Sequence, residues 1–207
     1  MSDIINFDPG ALAWDKMDGL LPAVVQDAAS GQLLMLGYMN REALEATLRD
    51  RLVTFFSRSN QRLWRKGETS GNTLALVGIA RDCDGDALLV RATPAGPTCH
   101  LGTDSCFGDV PAGAGWLGTL EGIVAARAAA SPAESYTAML LSEGPSKAAQ
   151  KVGEEGVEVA LAAVSRDQQG LAEEAADLLF HLLVTLRSRD VPLARVVEIL
   201  RDRHVSQ

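Results

Sequence analysis

The sequence has no surplus of positive charge. Its 207 residues carry a formal net charge of −8. Acidic residues lead on either side of residue 112, 14 to 10 and then 13 to 9. A nucleic-acid footprint needs a basic patch or tail, and neither half supplies one. Long hydrophobic runs are missing as well. No apolar stretch reaches the length of about 18 residues that a membrane-spanning helix needs, so no membrane association is expected. The opening "MSDIINFDPG" lacks a basic segment followed by an apolar one. No signal peptide and a cytoplasmic location are therefore expected. Cysteine is scarce and unevenly spread: Cys83, Cys99 and Cys106 fall within 24 residues, and the last 101 residues have none. An odd, clustered set in a reducing compartment argues against a disulfide framework. It points to metal binding or catalysis, with three small buried hydrophobes as the plain alternative.

What is present is the composition of a globular protein, 47% apolar and 22% charged, with room for one large domain or two small ones. From residue 22 to 90 the segments "LPAVVQD", "QLLMLGYM", "LVTFFSR" and "TLALVGIARDCDGDALLVRA" read as strands. Ser30-Gly31 reads as a turn between the first two. One helix interrupts them, "REALEATLRDR", with Asn40 placed to cap it. "FGDVPAGAGWLG" is rich in glycine and reads as a boundary, which divides the chain into 1–112 and 113–207. Beyond it the pattern is helical. Ser131-Pro132-Ala133-Glu134 has the form of a capping box, and Pro145 opens a further run. "LAEEAADLLFHLLVTLRSR" and "LARVVEILRDR" follow. The expected fold is an α+β, mostly strand N-terminal domain followed by an all-α helical bundle.

In "DCDGD" three aspartates alternate with other residues. On a regular strand Asp82, Asp84 and Asp86 would share one face and Cys83 the other. Three like charges in a row suit a hard divalent cation such as Mg²⁺, with a solvated acidic turn as the plain alternative. An EF-hand is excluded, because Ala87 stands at the loop-glycine position and Thr93 at that of the closing glutamate. Cys83, Cys99 and Cys106 would make three thiolate ligands for Zn²⁺, leaving a position for water, as in catalytic rather than structural zinc sites. His100 is either a fourth ligand or a general acid/base. Upstream, Arg58, Arg62, Arg65 and Lys66, followed by Thr69 and Ser70 in "GETSG", read as a phosphate-binding segment. Trp64 either stacks on a base or packs internally.

"SRSNQRLWRKGETSGN", "DCDGDALLV" and "GPTCHLGTDSCF", in that order, resemble phosphoribosyl-AMP cyclohydrolase over about residues 12 to 110. Leu101 stands where the family's loop would have threonine. The resemblance implies Mg²⁺ on Asp82, Asp84 and Asp86, and Zn²⁺ on Cys83, Cys99 and Cys106. It also implies that the zinc is shared between the subunits of a homodimer. Cys83 would then face another chain's thiolates.

In the helical half, Glu154, Glu155 and Glu158 fall on one face with Lys151. Glu174 and Asp177 form a second acidic stripe, with Glu173 adjacent. Surface acidity is the plain reading of either alone. Two stripes on neighbouring helices are a recognised way to hold divalent metal. His181 reads as a core-edge residue rather than a ligand. With "SYTAMLLSEGPSKAAQKVGEEGVE", the region from about 117 to 204 resembles phosphoribosyl-ATP pyrophosphohydrolase. That implies Mg²⁺ on Glu154, Glu155, Glu158, Glu174 and Asp177. It also implies nucleotide contacts from Lys147, Lys151 and Ser135-Tyr136-Thr137. The expected function is a bifunctional hydrolase of histidine biosynthesis acting on phosphoribosyl nucleotides. Its rivals are a bifunctional chain in which one half has lost activity and only dimerises, and a metal-storing or structural zinc module with a helical interaction domain. A zinc base deaminase is disfavoured, since the H-x-E and P-C-x-x-C signatures are missing.

Overall fold

The computed structural model describes residues 7–108 and 113–205. The expected boundary at residue 112 lies outside the described residues. By internal contacts the chain forms two compact units, Met1–Trp116 and Leu117–Gln207. The first is rich in strand and the second is helical, as expected.

Among the described residues the first unit has six strands. β1 (Leu21–Asp27) and β2 (Leu33–Met39) are antiparallel neighbours. β5 (Leu74–Arg81) and β6 (Leu88–Pro94) form an antiparallel hairpin. β6 runs parallel to β1, giving one sheet of order β2-β1-β6-β5. The parallel step requires a crossover. It contains helix α1 (Arg41–Asp50) and a two-stranded sheet of β3 (Thr54–Ser57) and β4 (Arg62–Arg65). Asn40 caps α1 as expected, its side chain accepting from the Ala43 amide at 2.8 Å. The buried Thr47 hydroxyl ties α1 to β3, accepting from the Thr54 amide at 2.9 Å and donating to the Ala43 carbonyl at 2.8 Å.

Alternation along β1 puts Leu21, Ala23 and Val25 in the core with Leu34, Phe55, Leu88 and Val90. Gly37 is required where it stands, since a Cβ there would lie 2.4 Å from the Phe55 ring. Phe55 in turn stacks on Trp64, with ring centroids 5.7 Å apart. The basic segment thus contains β4, a strand not among those expected from the sequence.

Helix α2 (Trp116–Arg127) starts at the last residue of the first unit and belongs to the second from Leu117, with α3 (Tyr136–Ser142), α4 (Pro145–Ser165), α5 (Gln168–Arg187) and α6 (Leu193–Val205). Pro145 opens α4 as expected. The capping box at Ser131 does not start a helix. Pro132 to Glu134 form a turn, and Ser135 caps α3 instead, accepting from the Ala138 amide at 3.2 Å. The cap nearest the apolar run prevails. Asp167 caps α5 through the Gly170 amide at 2.9 Å. Glu158 meets Glu174 while Glu155 meets His181, so the numbering runs in opposite senses and α4 and α5 are antiparallel. Val124, Leu140, Ala148, Leu183 and Val184 form a small core.

Candidate active sites

A cavity of about 440 Å³ opens in the first unit. Cys99, His100 and Cys106 line it, with Trp64, Lys66 and the turn from Gly67 to Asn72. Gly67 has φ +82°, and a Cβ there would sit 2.5 Å from the Asn72 backbone, so glycine alone lets this turn close. Lys66 is only 8% exposed. Its ammonium donates to the Asn72 carbonyl at 3.5 Å.

The cysteine loop is fixed by backbone bonds. Cys106 N donates to Leu34 O at 2.8 Å, and Ser105 Oγ donates to Leu33 O at 2.7 Å. Cys99 N donates to Thr103 O at 2.9 Å. Leu101 N lies 3.5 Å from Cys99 Sγ and donates to it. That amide, with the Thr103 side chain, holds the Cys99 thiol below its ordinary pKa. Partial desolvation and the neighbouring Cys99 push the Cys106 thiol up. His100 Nδ1 is 3.9 Å from Cys99 Sγ. Leu101 contributes its amide, while its side chain is 78% exposed. Leucine in place of threonine therefore leaves this contact intact.

The "DCDGD" stretch departs from the expected strand. Residues 82–87 are the loop of the β5–β6 hairpin, and alternation of faces does not apply there. Asp82 Oδ1 accepts from the amides of Gly85, Asp86 and Ala87 at 2.9, 3.0 and 3.2 Å. Gly85, at φ +78°, makes the reversal. Consequently Cys83 does not point away from its neighbours. One ligand atom each of Asp82, Cys83 and Asp84 lies within 4.8 Å of the others. Asp86 is outside that group. Lys16 bridges Asp84 at 2.6 Å and Asp86 at 3.5 Å. Its hydrogen bond holds the Asp84 carboxyl below its usual pKa. Cys83 is exposed and does not line the cavity. Among the described residues the three sulfurs do not form one cluster.

In the second unit, oxygens of Glu155, Glu158 and Glu174 lie within 4.8 Å of one another. Glu155 is buried, and its carboxylate pushes the pKa of Glu158 up, with burial and Glu174 adding to the shift. Lys151 pairs with Glu154 at 2.7 Å and Glu155 at 3.4 Å, and is itself held charged by them. Arg166 pairs with Glu174. The trio does not include Glu154, which also accepts from Gln150 at 2.7 Å, nor Asp177. Lys147 donates to Gln150 at 3.5 Å. His181 is buried, 3.4 Å from Glu155 Oε1, and its Nε2 lies 3.1 Å from the Tyr136 hydroxyl.

Of the basic segment, Trp64, Lys66, Thr69 and Ser70 line the cavity, whereas Arg58, Arg62 and Arg65 do not. Arg58 lies over the Tyr38 ring, 3.8 Å from its centroid. Arg62 is paired with Glu68 at 2.6 Å. Sequence reasoning missed Asn72 and Thr98 in the cavity wall and Lys16 on the aspartates. Lys16 stands 68 positions from Asp84 and carried no local signal. Thr98 adjoins Cys99, and that adjacency was a usable signal.

Two family profiles match the chain, phosphoribosyl-AMP cyclohydrolase over residues 35–108 and phosphoribosyl-ATP pyrophosphohydrolase over residues 117–204. Thiols on a cavity in one unit and clustered carboxylates in the other thus fall within two hydrolase families, and the chain is a two-site hydrolase. The "Histidine biosynthesis bifunctional protein HisIE" of Escherichia coli (strain K12) is 58% identical over 193 residues, 93% of this chain and 95% of that protein. The proteins of the same name from Salmonella typhimurium (strain LT2) and Xylella fastidiosa (strain Temecula1) are 56% and 57% identical, each over 93% of this chain. The chain belongs to this bifunctional HisIE family, with a cyclohydrolase module followed by a pyrophosphohydrolase module. No helix among the described residues is long and apolar enough to cross a membrane.

Proposed function

We propose that the helical unit hydrolyses phosphoribosyl-ATP to phosphoribosyl-AMP and pyrophosphate, and that the cavity of the first unit then opens the adenine ring of that product. The observation that carries this reading is the separation of donor types. Thiols meet at a nucleotide-sized cavity in one unit, and carboxylates meet between α4 and α5 in the other.

The donor sets fit the two metals unequally. Glu155, Glu158 and Glu174 are hard oxygen donors whose mutual repulsion raises the Glu158 pKa, and Mg²⁺ would relieve it. The expected set also takes Glu154 and Asp177, which lie outside that trio. The acidic hairpin loop offers Asp82, Asp84 and Asp86 to a second Mg²⁺, with Lys16 holding the latter two in its place. The Zn²⁺ set is Cys99 and Cys106, with Cys83 as the third thiolate. Because Cys83 is outside the cavity, it would come from a second copy of the chain, making the active form a homodimer with a shared site.

In the ring-opening step, Zn²⁺ held by these thiolates would supply the Lewis acidity that makes water nucleophilic near neutral pH. Water adds at purine C6 and the C6–N1 bond breaks. His100 takes a proton from the water and returns it to the departing N1. Lys66, Thr69 and Ser70 hold phosphate, and Trp64 gives the wall a flat apolar face. In the helical unit, Mg²⁺ held by the clustered carboxylates would supply charge neutralisation for the triphosphate and so favour attack by water. Lys147 and Lys151 bind phosphate oxygens as the α–β bond breaks and pyrophosphate leaves.

Complementation tests the shared zinc site. Cys83→Ala and Cys99→Ala/Cys106→Ala chains are inactive alone in ring opening. Random subunit exchange between them restores about a quarter of wild-type activity, because half the dimers carry one intact site of two. A mixture that exchanges subunits and stays inactive contradicts sharing.

A further inference from the structure

Thr98 stands immediately before Cys99 and lines the cavity. It is 2% exposed. Its Oγ1 is the one buried side-chain oxygen or nitrogen among the described residues without a hydrogen-bond partner. Buried hydroxyls in native proteins are normally paired, and an orphan needs a reason. Elsewhere in this unit the rule holds: Thr47 Oγ1 bonds to Ala43 and Thr54, and Ser105 Oγ to Leu33. A cavity wall is where a missing partner arrives with the ligand. A change of χ1 rotamer redirects a threonine hydroxyl without backbone movement.

We propose that Thr98 contacts substrate in the ring-opening reaction, its hydroxyl hydrogen-bonding a polar nitrogen of the purine being opened. The inference rests on the cyclohydrolase reading of the cavity. Thr98 lies one residue before a thiol and two before His100, the groups that the ring-opening reading sets against the reacting base. The buried ammonium of Lys66 and the turn from Gly67 to Asn72 suit phosphate instead. A hydroxyl both donates and accepts, which matches a base that gains and loses protons as C6 changes hybridisation. A site built around such a bond discriminates strongly once the bond is lost.

The test uses the full chain and three substitutions, Thr98→Val, Thr98→Ser and Thr98→Ala. Valine keeps the shape and removes the orphan hydroxyl, so the thermal midpoint stays level or rises. Zinc content and pyrophosphate release are unchanged. kcat/KM for ring opening of phosphoribosyl-AMP falls about tenfold to a hundredfold. Serine keeps the oxygen and stays within a few-fold of wild type. Alanine shows the same loss as valine, so the result remains readable if valine crowds the wall. Wild-type ring opening in the valine variant overturns the proposal. So does a loss shared by serine, or one that tracks zinc content or melting temperature. A wild-type chain that cannot open phosphoribosyl-AMP at all overturns the cavity reading itself, which is a distinct outcome.

Discussion

Asp82 and Asp84 sit two positions apart in one hairpin loop and are held by different partners. Asp82 Oδ1 accepts three backbone amides, which closes the loop and leaves its other oxygen for a ligand. Asp84 pairs with the flexible Lys16 ammonium, with both side chains about half exposed. Such exposed pairs add little to stability. In chelator, Asp82→Ala therefore destabilises the first unit by about 1–2 kcal/mol, since three loop amides lose their acceptor. Asp84→Ala leaves its urea midpoint essentially unchanged. Equal effects from the two substitutions would mean that the loop is not built on Asp82. The period-two spacing of aspartates was visible in the sequence. The loop was not, because its decisive features are the left-handed Gly85 and a carboxylate turned back onto its own backbone. Cys83 was misoriented by the same error: in a loop, alternate residues do not take opposite faces.

At the scale of elements, α4 and α5 place like charges together, and this has a pH signature. The Glu158 carboxyl has a raised pKa, chiefly from the Glu155 carboxylate. A group that holds its proton more tightly when folded adds stability below its unfolded pKa, and that contribution is lost as pH rises through the folded value. Without metal, the helical unit should therefore lose stability as pH rises from about 4.5 through the raised value of Glu158. Glu154 works in the opposite direction, because Lys151 lowers its pKa. The comparison that isolates Glu158 is the wild type against Glu158→Gln. Near neutral pH in chelator the glutamine variant melts higher, and the gap closes on acidification. Mg²⁺ narrows it by stabilising the wild type. A glutamine variant that melts lower in chelator at every pH contradicts the clustered-carboxylate reading. The two stripes were legible from helical spacing, since i, i+1 and i+4 share a face. Which carboxylates converge was not legible. Inclusion of Glu158 and Glu174 depends on how α4 and α5 are registered, and that is set by packing of Ala148, Leu183 and Val184. Strand β4 was hidden for a related reason. "RLWR" has two apolar residues, and its pairing with β3 sets Trp64 opposite Phe55, where the two rings stack.

The whole molecule is two compact units, each with its own core and its own set of donor groups. The change from strand-rich to helical sequence was readable from periodicity and from the glycine-rich stretch between them. The cavity was readable only in part: "GPTCHLGTDSCF" drew attention to the thiols and His100 but not to Thr98 beside them, while Asn72 enters through folding. The central claim is that one chain carries two chemically independent hydrolytic sites. The most direct measurement supplies phosphoribosyl-ATP, and separately phosphoribosyl-AMP, to Cys99→Ser and Glu155→Gln chains, each checked for folding. The account predicts that Cys99→Ser releases pyrophosphate at close to the wild-type rate and accumulates phosphoribosyl-AMP, with ring opening reduced at least about a hundredfold. Glu155→Gln should do the reverse, failing on phosphoribosyl-ATP while opening supplied phosphoribosyl-AMP normally. Loss of both activities together in either folded variant would contradict it.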